Sequence, residues 1–81
     1  MNLTTRQKEV LQGLRYGRKM TFTHYIGDTR NAWWDDEPWT PGRKNWSVVV
    51  SALLKKSLVR LQEEKTFHVF SVELTEAGRN A

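Results

Sequence analysis

Residues 45–80 read NWSVVVSALLKKSLVRLQEEKTFHVFSVELTEAGRN, and the fold turns on them. Trp46, Val50, Leu53 and Leu54 fall on one face at helical spacing, which predicts an amphipathic helix ending at Lys55-Lys56-Ser57. Asn45 is its expected N-cap; a start at Thr40-Pro41, with proline in the first helical position, is the alternative. Val48, Val49 and Val50 are β-branched and form helix poorly, so packing has to hold this segment. Leu58-Val59 then opens a strand running to Gln62, with Glu63-Glu64-Lys65-Thr66 as a charged tip. A second strand runs from Phe67 to Leu74, followed by a short tail.

Upstream, Leu3-Thr4-Thr5-Arg6-Gln7 is a helix start. Thr4 sits at the cap, Gln7 at the capping-box position and Leu3 at the staple position. Val10, Leu11 and Leu14 give this first helix an apolar face, and Gly17 is a natural stop. Residues 20–26 alternate and are rich in β-formers, and Gly27-Asp28 suits a two-residue turn. Residues 29–34 return as the partner strand. That turn sets a register in which Phe22 faces Trp33, leaving Trp34 on the opposite face. Trp33 and Trp46 are therefore the expected core tryptophans, and Trp34 and Trp39 the exposed ones. Pro38, Pro41 and Gly42 make residues 35–44 a loop.

A chain of 81 residues forms one domain, residues 1–81, and buries only about 60–65% of its unfolded surface. Without cysteine it has no disulfide framework, thiolate zinc site or thiol nucleophile. No apolar run approaches the roughly 20 residues that span a bilayer. The start lacks the layout of a signal peptide, so a cytoplasmic location is expected. Net charge is +4, unevenly spread. Residues 43–60 hold Arg43, Lys44, Lys55, Lys56 and Arg60 with no acid, whereas residues 27–42 set Arg30 against Asp28, Asp35, Asp36 and Glu37. The acid-free stretch favours a polyanionic partner.

These segments resemble winged-helix proteins of the multiple-antibiotic-resistance-regulator type. VVSALLKKSLVRL is similar to their recognition helix and first wing strand. FHVFSVELTEAGRNA is similar to their exit strand, which ends Leu-Thr-x-x-Gly-Arg; here that motif is Leu74-Thr75-Glu76-Ala77-Gly78-Arg79. Leu3 to Leu11 resembles their first helix. The chain departs from the family in two places. Ser57 stands where the family has glycine, and residues 18–44 read as hairpin and loop rather than as a middle helix. The whole layout also resembles small phage and prophage proteins of unknown role. The resemblance implies a small α+β, winged-helix-like domain of order helix, hairpin, helix, hairpin. It also implies duplex DNA as partner and a role as regulator or accessory protein.

On that reading the DNA-binding residues are Arg43, Lys44, Asn45, Ser47, Val48, Ser51, Lys55, Lys56 and Arg60. Lysines with Ser51 would meet phosphates, Asn45 a base edge, and Val48 and Ala52 thymine methyls. The alternative is a protein-interaction module that docks through Trp34, Trp39 and the acidic loop with Asp35 and Asp36. His24 and His68 have no third ligand in view, and Asp35-Asp36-Glu37 lacks the spacing of a calcium loop. No metal, cofactor, small-molecule ligand or catalytic constellation is expected, and the chain does not read as an enzyme.

Overall fold

The computed structural model describes residues 2–25, 29–63 and 68–81. Along the chain come α1 (Thr5–Arg15), β1 (Met20–Tyr25), β2 (Thr29–Trp34), α2 (Ser47–Lys55), β3 (Val59–Glu63), β4 (Val69–Leu74) and α3 (Glu76–Arg79). The strands make one antiparallel sheet of order β2-β1-β4-β3. The architecture is α+β. It differs from the expected helix, hairpin, helix, hairpin order in ending on α3. The second hairpin is also not free-standing, because β4 pairs with β1 as well as with β3.

α1 begins as its sequence dictates. The Gln7 amide donates to Thr4 Oγ1 (3.2 Å) and the Thr4 amide donates to Gln7 Oε1 (3.1 Å), closing the capping box. At the other end the Arg18 amide donates to the Gly13 carbonyl and the Gly17 amide to the Leu14 carbonyl. With Gly17 at φ +89° this is a Schellman stop. α2 ends the same way. The Leu58 amide donates to Leu53 O and the Ser57 amide to Leu54 O, with Ser57 in the left-handed region at φ +59°. Ser57 thus adopts, without being glycine, the left-handed conformation that favours glycine.

The first hairpin forms, but one residue out of the expected register. Phe22 pairs with Ala32, Thr21 with Trp33 and Met20 with Trp34. The Gly27-Asp28 turn lies outside the described residues. The pairing of Tyr25 with Thr29 nevertheless leaves three residues between the strands instead of two. A one-residue slip moves every side chain of β2 to the other face. Trp34, expected outside, is 2% exposed, and Trp33, expected in the core opposite Phe22, is half-buried on the face away from it.

The buried face of the sheet carries Met20, Phe22, Ala32, Trp34, Val59 and Val72, joined by Val10 and Leu11 of α1 and by Val50 and Leu53 of α2. Leu54 is only half-buried. Trp34 is central. Its indole lies against Gly13, where an added Cβ would come within 2.5 Å of the ring. Trp46 meets it edge-on at 6.3 Å between centroids. The free edge of β2 is closed by the chain entering α2. The Ala32 amide donates to Asn45 Oδ1 and the Trp46 amide to the Ala32 carbonyl, both at 3.0 Å. A covered edge no longer templates pairing with another strand.

α3 makes physical sense of Leu74-Thr75-Glu76-Ala77-Gly78-Arg79. Thr75 Oγ1 accepts from the Gly78 amide (3.1 Å) and donates to the Ser57 carbonyl (2.6 Å). The Thr75 amide donates to Leu58 O. A Cβ on Gly78 would lie 1.9 Å from that same oxygen, so no larger residue fits.

Gly13→Ala tests the Trp34 seat. Alanine alone would favour the helix by roughly 1 kcal/mol. We expect a net loss of about 1–2 kcal/mol in denaturant melts, because overpacking costs more than propensity returns. Trp34→Phe should destabilise less in the Gly13→Ala background than in the native chain. A gain in stability from Gly13→Ala would show that the seat is not tight. Ser57→Gly is expected to stabilise by about 0.5–1 kcal/mol through relief of the left-handed backbone, and an unchanged or lower melting temperature would count against the strain at Ser57.

Candidate functional site

The acid-free stretch divides into three places. Lys44 and Lys55 are exposed, before the first turn and in the last turn of α2, and neither makes an ion pair among the described residues. Val48 lies between them, 79% exposed. Half-buried Ser51 and exposed Lys55 follow Val48 at helical spacing and share the outward face of α2 with it. These are the sequence-predicted residues that the fold brings together.

The others are spent inside the fold. Asn45 fills all four of its hydrogen-bonding positions. Oδ1 accepts from Ala32 and Ser47, and Nδ2 donates to Arg30 O (3.0 Å) and Asn31 Oδ1 (3.1 Å). It neither caps α2, whose N-cap is Trp46, nor retains a group for a base edge. Ser47 is buried. Arg43 is half-buried with its guanidinium 5.1 Å from the Trp33 ring centre. Lys56 Nζ donates to Asn2 O and Gln7 Oε1, tying the end of α2 to the start of α1. Arg60 pairs with Glu73 (3.1 Å) on the sheet face opposite the core.

The alternative set is dispersed as well. Trp34 is buried, so it offers no anchor, and of the two tryptophans only Trp39 stands out, at 73% exposure. Asp35 accepts from Thr21 Oγ1. Asp36 is gripped in bidentate fashion by Arg18, with Nε to Oδ2 at 2.9 Å and Nη2 to Oδ1 at 2.7 Å, and Glu37 lies 3.8 Å from the same guanidinium. That guanidinium also lies over Trp34, 4.1 Å from the ring centre. The Arg18 hydrogen bond holds the Asp36 carboxyl below its ordinary range, and the same bond raises the Arg18 pKa.

From the sequence, Arg15 and Arg18 would extend a patch of Lys44, Lys55 and Lys56; the structure instead turns Arg18 to Asp36, Arg15 to Gly78 and Ala81 and Lys56 to Gln7, and Arg79 had no sequence signal as a site residue. Arg15, Arg18, Arg60 and Arg79 line a cleft of about 660 Å³ between α1, α3 and the far end of β4. No spacing rule joins residues 15, 18, 60 and 79. Among the described residues no group of three metal-ligating side chains could hold an ion, and no helix is long and apolar enough to cross a membrane. No protein-family model, curated protein or solved structure matches the chain.

The Arg18–Asp36 pair makes a pH prediction. A carboxyl whose pKa is lowered by folding stabilises above its unfolded value and loses that contribution as pH falls through the folded one. The native chain should melt higher than Asp36→Asn at neutral pH, by a small margin because the pair is exposed. The margin should shrink and then vanish as pH falls below the ordinary aspartate range, where Asp36 becomes protonated in the folded chain as well. A margin that persists in stronger acid would show that another contact is responsible.

Proposed function

We propose that the protein binds duplex DNA, with α2 as the recognition helix of a winged-helix-like domain and β3–β4 as its wing. The observation that carries this reading is the outward face of α2. Val48 is exposed between two exposed lysines that make no ion pair among the described residues, Lys44 resting 5.8 Å from the Trp46 ring centre, and a short helix with phosphate-seeking ends and a small apolar centre suits a major groove. The internal capture of Asp36 and Glu37 by Arg18 supports it, since those carboxylates would otherwise repel a phosphate backbone. The loss of Asn45 as a base reader leaves binding dominated by phosphates and therefore weakly selective in sequence. On this reading the protein is a small regulator or accessory protein; the likeness of its layout to small phage and prophage proteins bears on origin and architecture and carries no activity. Of the expected wing tip, residues 63–66, Glu63 is the last residue of β3 and is exposed, and residues 64–66 lie outside the described residues.

The test is a salt titration of binding to random-sequence duplex. The logarithm of affinity should fall steeply and linearly with the logarithm of salt, and Lys44→Glu with Lys55→Glu should weaken binding to every sequence. The double variant should also flatten the slope by about 0.9 for each phosphate that it no longer neutralises. Val48→Asp should weaken binding with little effect on the melting temperature, as an exposed position. A folded sample that binds no duplex at low salt and tens of micromolar protein would overturn the proposal.

A further inference from the structure

The cleft at the far end of β4 is a second feature of the surface, and no residue of α2 lines it. It exists because β4 outruns its neighbour. The pairing of β1 with β4 ends at Thr21 and Ser71, and the register puts Glu73 and Leu74 beyond Met20, the first residue of β1, so that they have no strand beside them on that side. The C-terminal turn of α1 and α3 stand around the gap. Leu14, Val72 and Leu74 supply apolar surface, and Arg15, Arg18, Arg60 and Arg79 bring four guanidiniums from separate elements.

Their partners differ in kind. Arg18 is committed to Asp36 and Arg60 to Glu73, the one acidic side chain lining the cleft among the described residues. Arg15 donates through Nη2 to the Gly78 carbonyl (3.2 Å) and to the Ala81 oxygen, which fix its guanidinium beside α3 and leave its Nε and Nη1 without a hydrogen-bond partner among the described residues. Arg79 makes no ion pair among the described residues and is exposed. Like charges gathered in a concave site raise the local potential and draw in an anion. Guanidinium forks match phosphate oxygens in pairs, which ammonium groups do not. A volume of about 660 Å³ is far larger than an inorganic anion needs and suits a drug-sized organic molecule.

We propose that this cleft is a binding site for a small organic phosphate of nucleotide size, its phosphates held by Arg15 and Arg79 with Arg60 at the rim, and its organic part resting on Leu14, Val72 and Leu74. The site shares no residue with the α2 face, although Arg60, Val72, Glu73 and Leu74 belong to the β3–β4 wing of the duplex-binding reading, and competition by duplex therefore separates the two.

Calorimetric titration of the full chain with ATP, inorganic phosphate and adenosine at low ionic strength tests it. ATP should bind, inorganic phosphate should bind more weakly by about tenfold or more, and adenosine should not bind detectably. Arg79→Gln should weaken ATP by about tenfold while leaving the melting temperature unchanged, because Arg79 holds nothing in the fold. Glu73→Gln should tighten it by removing the acidic side chain that lines the cleft among the described residues and by freeing Arg60. Lys44→Glu with Lys55→Glu should leave it unaltered, and saturating duplex DNA should not compete. The proposal is overturned if ATP fails to bind at millimolar concentration, or if Arg79→Gln binds like the native chain. It is also overturned if the α2 variant weakens ATP as much as Arg79→Gln does, or if duplex displaces the nucleotide, which would make the cleft part of a nucleic-acid surface.

Discussion

The structure depends on one indole lying against one glycine. Trp34 is the more deeply buried of the two core tryptophans, and α1 can approach it only because Gly13 has no side chain to interpose. Glycine in a helix interior is ordinarily a weakness of roughly 1 kcal/mol, and here that weakness is the condition for close packing between helix and sheet. Arg18, just past the end of α1, then covers the exposed side of the same ring, and Asp36, just past the end of β2, holds Arg18 there. Sheet, helix and loop are thus fastened at a single ring. Trp46 adds the link to α2 by meeting it edge-on.

That fastening explains which parts of the fold were legible in the sequence. Helix α1 could be read to its cap because Thr4 and Gln7 act within one turn and need no tertiary partner. The face of α2 was legible for the same reason of periodicity, with Val50 and Leu53 inside and Lys55 outside. The first hairpin was legible, but its register was not. Gly27-Asp28 suits a two-residue turn taken alone, and only the packing of Trp34 on Gly13, a residue of a different element far away in sequence, selects the other pairing. Choosing between adjacent tryptophans was therefore a tertiary question put to a local signal.

The candidate sites divide along the same line. The lysines and Val48 of α2 were legible from helical spacing alone. Asn45 suits both a helix cap and a base edge by residue type, and it serves neither for one reason: its amide is used to seal the edge of β2, a role that exists only when the strand lies alongside. The arginine-lined cleft was illegible because it is made by β4 running past the start of β1. Such an offset depends on strand register, which the sequence pattern does not set across long loops. The motif from Leu74 to Arg79 sits between these cases. Its residues were visible as a resemblance, and its logic, a glycine pressed onto the Leu58 carbonyl and a threonine bridging to Ser57, required the neighbouring strand.

The pairing of β1 with β4 has a consequence for how the molecule comes into being. Thr21 to Thr23 find their partners only at Val69 to Ser71, and Arg15 finds its carbonyls at Gly78 and Ala81. During synthesis the first helix and hairpin can emerge and associate, but one flank of β1 stays unpaired until β4 has also left the ribosome. At typical elongation rates of about 5–20 residues per second that is an interval of several seconds. Loop closure over such a separation is slow compared with local helix formation, so the nascent chain passes through a stage in which β1 presents an open strand edge. The other flank of β1 is occupied by β2, which reduces what a neighbouring nascent chain could seize to a single edge.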